Sequence, residues 1–541
     1  ARVPAALFSI AAVVFVLFGF RRYLGRLGSI LSATLLMISP LILFYGRYTR
    51  NEAFIELFAV LTFYGVLRYL ERKDHFSLYL LAVVTALQFT TKEVAYIYSA
   101  QLLLFCGFLF LRDIWQRLPW KSAAERMNAL LWLIIGGALA LLGLGILKLA
   151  PESGSAAFLK AAAFGSVAIG GLIVLVDIIR VVRRFTWKPF KQMASFNLIV
   201  FLGALILPQL TAFPVRLLGW DPLDYTPAGS TRTGIVMGVL FVASILIGIW
   251  WNRQVFLKAA AAFYLIFITF YTTLFSNGHG FFTGIVGSLG YWLTQQDVQR
   301  GGQPFYYYGA ILLPLYEFAA IAGTILALYF AIRHRLFWTL PADELHASLQ
   351  ENVNDLGNDD QDLRDAFEID GSIESDLEEA AGIEIAQGWQ DTDALEEIFV
   401  LEINADSQDT DPAIDEEWRW QTEQGKKPLP TLIFFLFWFV TALFAYSVAG
   451  EKMPWLAVHI ALPLTFSAGW GFGFLFEGAP WRKIFSLNGL IALALTISGA
   501  YAIGGLSQTL FGANPAFAGK SLEQLKATNL FVFSLIALIL V

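Results

Sequence analysis

"LSATLLMISPLILFYGRYTRNEAFIELFAVLTFYGVL", residues 31–67, decides the fold class. Apolar runs at 31–44 and 54–67 flank the stretch "YGRYTRNEAF" (45–54), which carries Arg47, Arg50 and Glu52. Ionisable groups at membrane depth are costly, so a cluster between two apolar runs marks a membrane edge or a site. Outward from this point, stretches near the roughly 17–25 residues of a spanning helix recur along the chain. They lie at 5–20, 29–46, 54–70, 77–91, 97–112, 128–149, 161–180, 194–212, 234–251, 257–275 and 309–332, then at 430–449, 456–476, 484–505 and 529–541. In lipid each backbone polar group needs an internal partner, which helices supply. The expected fold is an all-α polytopic membrane bundle of about fifteen transmembrane helices.

Composition agrees. Of 541 residues, 57% are hydrophobic and only 15% charged, and the mean hydropathy is +0.61. The single cysteine, Cys106, excludes a disulfide framework and a cysteine metal cluster. Residues 343–423 hold 27 Asp/Glu against two Arg, so the remainder of a chain with net charge −6 is basic, at +19. Such an acidic run reads as a solvated, disordered insertion, with "LEEIFVLEI" a place where a protein partner docks. The chain therefore divides into a transmembrane domain (1–334), an acidic cytoplasmic insertion (335–429) and C-terminal transmembrane helices (430–541). The first residues, "ARVPAALFSI", carry no basic n-region, and both ends are expected to be truncated.

Orientation follows from the cations. "RRYLGR", "RYLERKDH", "RDIWQRLPWKSAAER", "RVVRRFTWKPFK", "NRQVFLK", "RHR" and "WRK" form the denser set of alternate loops, which assigns them to the cytoplasm. "YGRYTRNEAF", "FTTKEVAY", residues 277–309 and "AGEKMPWLAVH" then share the opposite, extracytoplasmic face of the cell membrane. Cations scattered along membrane loops, with no basic face, give no sign of nucleic-acid binding.

Four constellations on that face carry chemistry, although each alone also fits an interfacial anchor. Arg47 and Arg50 suit a phosphate, because the guanidinium fork matches its oxygens; Glu52 beside them is a candidate general base. Lys92 is a further phosphate ligand, and Glu93 a candidate base or hard oxygen donor for a divalent cation. The stretch "NGHGFFTGIVGSLGYWLTQQDVQRGGQPFYYYG" adds His279, Gln296, Asp297 and Arg300, with Trp292, Tyr306, Tyr307 and Tyr308 as flat, hydrogen-bonding surfaces for a sugar ring. "AGEKMPWLAVH" adds Glu451, Lys452 and Trp455, with His459 a turn further in. Basic groups, carboxylates and aromatics on one face suit a phosphate-bearing, sugar-bearing lipid.

The opening residues 1–54 with "LQFTTKE" resemble GT-C glycosyltransferases related to protein O-mannosyltransferases and lipid A aminoarabinose transferases, a likeness covering about residues 1–112. "GSLGYWLTQQDVQRGGQPFYYYGAILLPLYE" and "GEKMPWL", in 277–317 and 450–460, more closely resemble a membrane family described as flippase-activity-associated, of archaea and Chloroflexi-type bacteria. The resemblance implies a GT-C-like bundle that transfers a sugar from a polyprenyl-phosphate donor to a protein, lipid or glycan acceptor on the outer face. It implies no cofactor beyond a divalent cation, for which Glu93 and His279 are the candidate ligands. Carried over by position, Glu52 matches the acidic residue after the third helix of such enzymes, and Lys92 falls where they set a lysine against the lipid phosphate. Their principal carboxylate lies in the loop between the first two helices, and the present chain matches from the second helix on. Arg47, Arg50, Lys92 and Arg300 are thus expected to bind donor phosphate, with Glu52 and Glu93 catalytic. Trp292, Gln296, Asp297, Tyr306, Tyr307, Tyr308, Glu451, Lys452 and Trp455 are expected around sugar and acceptor. Two other classes stay open: a flippase-type protein that moves the lipid-linked sugar, and a non-catalytic subunit of a larger membrane assembly.

Overall fold

The computed structural model describes the chain except residues 1, 49, 150–156, 296–301, 340–427, 451, 478, 480, 513–514 and 520. The helices are α1 (Val3–Gly19), α2 (Arg21–Ile38), α3 (Pro40–Gly46), α4 (Glu52–Arg72), α5 (His75–Thr91), α6 (Val94–Arg117), α7 (Ala123–Leu149), α8 (Ala157–Phe185), α9 (Lys188–Gln192) and α10 (Ala194–Ile206). They continue with α11 (Ala212–Leu217), α12 (Pro227–Tyr271), α13 (His279–Gln295), α14 (Leu313–Tyr316), α15 (Phe318–Arg333), α16 (Thr431–Val448), α17 (Val458–Glu477), α18 (Trp481–Ile484), α19 (Leu487–Phe511) and α20 (Leu522–Leu540). The described residues fall into two compact units, one of residues up to 339 with 428–474, the other of 475–541. The chain is an all-α, multi-pass membrane protein.

All fifteen apolar stretches are helical. Among the described residues nine helices are long and apolar enough to cross a membrane, or up to eleven if each of two bent pairs is one span. The stretches at 234–251 and 257–275 form the two arms of α12, which turns back on itself at Asn252 (φ −159°), so that the Phe241 and Tyr264 rings lie 5.2 Å apart. Three others, at Val3–Gly19, His75–Thr91 and Ala194–Leu210, are shorter than a full span. Of the expected acidic insertion (335–429), residues 340–427 lie outside the described residues. Its flanks meet in an antiparallel bridge, Thr339 N to Leu429 O at 3.1 Å and Leu429 N to Thr339 O at 2.7 Å.

The bends have local causes. Pro40 denies α2 its continuation, and Ser39 caps the new helix by accepting from Ile42 N at 3.1 Å. That pair bends by 64°, and residues 307–316 bend by 105° into α15 at Glu317. Both breaks meet: Ser39 Oγ donates to Glu317 Oε1 at 2.5 Å, and Leu41 N donates to the same oxygen at 3.3 Å. One buried carboxylate thus satisfies the open N-terminus of α3, where unpaired N–H groups and the helix dipole favour negative charge.

Close packing rests on small residues, as is usual between membrane helices. A Cβ on Gly473 of α17 would lie 2.7 Å from Gly28 Cα of α2, so only glycine fits the crossing. Elsewhere aromatic edges interlock: Phe63 of α4 meets Trp438 of α16 at 4.8 Å between ring centroids and Phe466 of α17 at 5.6 Å. At the other end of α4, Asp74 caps α5 by accepting from Ser77 N at 2.9 Å, and accepts from Arg68 Nε at 2.8 Å. Partial burial raises its carboxyl, but these bonds with Ser77 and Arg68 outweigh it and hold the group below its ordinary value. In the second unit, Ser521 and Gln524 form a capping box that starts α20.

Candidate functional site

Three corners far apart in sequence converge where α3 gives way to α4. Asn51 precedes α4, and its amide donates to Thr91 O at 2.9 Å, tying the α3–α4 corner to the end of α5. Glu52 opens α4 and is only 1% exposed. Lys92 Nζ lies 2.6 Å from its Oε1, and Arg50 Nε lies 3.2 Å from its Oε2. The Arg50 guanidinium in turn sits over the Trp455 ring at 3.7 Å. A cation over an indole is attracted to the ring face by about 1–2 kcal/mol when partly desolvated. Residues 50–52, 92 and 455, predicted from three separate motifs, are therefore one contact set.

The charges do not cancel. One carboxylate holds two cations, which leaves a charge of +1 on the three side chains. Arg50 bonds Glu52 through Nε, and among the described residues its Nη groups have no acceptor. The planar fork is available for a bidentate oxyanion, while Lys92 supplies a compact second cation.

The other expected residues sort by position. Arg47 is exposed and bonds Leu43 O at 3.3 Å, outside the triplet. Glu93 precedes α6, half-buried and close enough to Tyr96 and Tyr271 to interact with them electrostatically. Tyr271 links that corner to α13, donating to Phe89 O at 3.1 Å and bonding Ser288 Oγ at 2.7 Å. His279 is exposed at the start of α13, and Trp292 packs part-buried against the core. Of the three tyrosines only Tyr306 offers an open ring; Tyr307 and Tyr308 are buried in the π-helical turn Tyr307–Leu312. Tyr308 Oη donates to Met453 O at 2.9 Å and so fixes the loop that carries Trp455. Lys452 Nζ donates to Ala449 O at 3.1 Å within that loop. Gln296, Asp297, Arg300 and Glu451 lie outside the described residues.

Glu93 and His279 belong to no metal-holding group, since no three His, Cys, Asp or Glu side chains come together for one among the described residues.

Of the residues beneath the triplet, the sequence motifs include only His459. Glu56, one turn along α4 from Glu52, is 2% exposed and accepts from Ser9 Oγ at 3.2 Å. Tyr98 Oη of α6 bonds His459 Nδ1 of α17 at 3.1 Å, and Tyr446 of α16 stacks on that imidazole with centroids 5.4 Å apart. Glu317 was likewise passed over. An acid inside an apolar run is the signal that finds both Glu56 and Glu317; Tyr98, one aromatic among many, gives none.

No curated protein and no solved structure matches the chain. Residues 1–147 match the model of a family described as dolichyl-phosphate-mannose-protein mannosyltransferase. That segment contains Arg50, Glu52, Glu56, Lys92 and Tyr98, and the match supports the resemblance to GT-C glycosyltransferases; the motifs at 277–317 and 450–460 lie beyond it.

Proposed function

We propose that the protein is a membrane glycosyltransferase that moves a sugar from a polyprenyl-phosphate donor to a protein, lipid or glycan acceptor on the extracytoplasmic face. The observation that carries this reading is the Arg50–Glu52–Lys92 triplet, a net cation with free donors at the end of a spanning helix. The family match over residues 1–147 supports the donor class, and the denser cations of the opposite loops support the face.

In this reading Arg50 and Lys92 bind the donor phosphate, and Glu52 positions them. Charge that develops on the leaving phosphate meets donors already in place, which lowers the barrier. The acceptor oxygen attacks the anomeric carbon, the bond from carbon to phosphate oxygen breaks, and polyprenyl phosphate leaves with the electron pair. Tyr306 and Trp455 are the accessible aromatics for the sugar, and Arg47 and Arg300 are further cations for the lipid phosphate. Catalytic roles for Glu52 and Glu93, a protein docking on the acidic segment, and a divalent cation complete the proposal.

A second reading, transport of the lipid-linked sugar, has one observation in its favour. Two broken helices meet at the buried carboxylate of Glu317, an arrangement that transporters use near the bilayer midplane. One experiment separates the two. Full-length protein in proteoliposomes is given polyprenyl-phosphate sugars and a membrane extract, with and without EDTA. Release of free polyprenyl phosphate establishes transfer, and the EDTA arm reports on the cation. Movement of intact donor between leaflets without release establishes transport.

A further inference from the structure

Glu317 serves both broken helices at once. Its backbone N–H donates to Leu313 O at 2.7 Å and closes α14, and its carbonyl accepts from Ile321 N at 2.9 Å and starts α15. Its side chain, 3% exposed, reaches the other break, where Oε1 accepts from Ser39 Oγ at 2.5 Å and from Leu41 N at 3.3 Å. An acid at membrane depth is costly and points to a function. Ser39 already caps α3 through Ile42 N, so the acid does more than cap: it ties one broken helix to the other.

Both broken helices lead to Arg50. From Ser39, α3 runs seven residues to Gly46, about 10 Å at the helical rise, and delivers the corner that carries Arg50 and Glu52. A helix this short is far below the roughly 12–15 residues at which an isolated one holds its shape, so its ends and neighbours must order it. From Glu317, α14 and the π-helical turn run back to Tyr308, whose Oη donates to Met453 O at 2.9 Å. Met453 leads directly into the single turn Pro454–Ala457, which packs against α3 and sets the Trp455 ring on the Arg50 guanidinium at 3.7 Å. Arg50 is thus held by Glu52 at the end of one arm and by Trp455 at the end of the other, and the two arms are pinned together at Glu317.

We propose that Glu317 is a positioning residue: its clasp on Ser39 and Leu41 sets the spacing of the two arms, and so keeps Arg50, Glu52 and Trp455 in the arrangement that binds the lipid phosphate. This rests on the phosphate-binding reading above. The clasp needs an acceptor oxygen and no charge, because both contacts are donated to the one Oε1. An amide oxygen, with two lone pairs, can accept both. A carboxyl that carried a coupled proton or ion, as transport would ask of it, could not be replaced by an amide. Glu317→Gln therefore separates a clasp from a coupling site.

The test uses the full-length protein in lipid nanodiscs with Glu317→Ala, Glu317→Gln and Ser39→Ala. The first readout is the Kd of sugar-free polyprenyl phosphate. Glu317→Ala is expected to raise it about tenfold and Ser39→Ala about threefold, with Glu317→Gln within about twofold of wild type. The second readout is the distance distribution between spin labels at two exposed positions, Tyr48→Cys beyond α3 and Phe305→Cys before the π-helical turn, in a Cys106→Ser background. A narrow distribution that broadens in Glu317→Ala and stays narrow in Glu317→Gln is expected. An unchanged Kd in Glu317→Ala overturns the proposal whatever the labels show, and if that variant does not fold, an unchanged Kd in Ser39→Ala does so. Glu317→Gln as damaging as Glu317→Ala also overturns it and favours the transport reading. Absence of wild-type binding overturns the phosphate-binding reading, and the spin labels alone then decide whether Glu317 holds the two arms together.

Discussion

Lys92 Nζ lies 2.6 Å from Glu52 Oε1, joining the end of α5 to the start of α4 across forty residues of sequence. Both partners are shielded, and Glu52 answers Arg50 as well, so the carboxylate holds two cations in register. Removing one member of a buried pair strands the others and costs about 3 kcal/mol or more. Glu52→Ala is therefore expected to destabilise the protein by about that amount, read as a lowered unfolding midpoint in detergent. Glu52→Gln, which keeps the shape and a hydrogen-bond acceptor, is expected to lose less.

The Trp455 ring packs on the same Arg50 guanidinium that bonds Glu52. Trp455→Ala frees the guanidinium to sample other rotamers, and the loss of about 1–2 kcal/mol of cation–π attraction should weaken donor binding roughly tenfold. Titration of the variant with polyprenyl-phosphate sugar checks this; Trp455→Phe should recover part of the affinity.

The crossing of α2 and α17 leaves no space for a side chain at Gly473. Gly473→Val should force the helices apart and cost about 1–3 kcal/mol. A thermal unfolding series of alanine and valine variants tests the claim. The alanine variant should already lose stability, although alanine is the better helix former.

Asp74 caps α5 and pairs with Arg68. Its folded-state carboxyl titrates below the ordinary value of 3.8, so it contributes stability above that pH and loses it as pH falls through the lower folded value. Asp74→Ala should cost about 1 kcal/mol near neutral pH and should flatten the fall in stability below about pH 4. Unfolding midpoints of both proteins across that range decide the matter.

Much of this architecture was legible in the residues. Hydropathy marks most of the long helices, because the lipid imposes one rule on all of them, but α13 (His279–Gln295) falls in a segment that reads as an outer loop. The turn at Asn252 is marked too, by the polar stretch "NRQVFLK" between the two apolar stretches. The site was legible in part for a similar reason. Arg50, Glu52, Lys92 and Trp455 are costly or conspicuous at a membrane edge and draw notice one by one. That they touch is a property of the fold, and no spacing in the sequence states it. Tyr307 and Tyr308 show the converse: aromatic residues that read as a sugar platform are buried, Tyr308 serving to anchor Met453.

The central claim is that Arg50 and Lys92, held by Glu52, form a site for a lipid phosphate. The measurement that meets it most directly is the Kd of sugar-free polyprenyl phosphate for the full-length protein in nanodiscs, compared with Arg50→Ala and Lys92→Ala at one fixed salt concentration. A Kd raised tenfold or more in each variant, measured well below its lowered unfolding midpoint, is the predicted result. An unchanged Kd in both folded variants would contradict the claim and place the phosphate elsewhere on the protein.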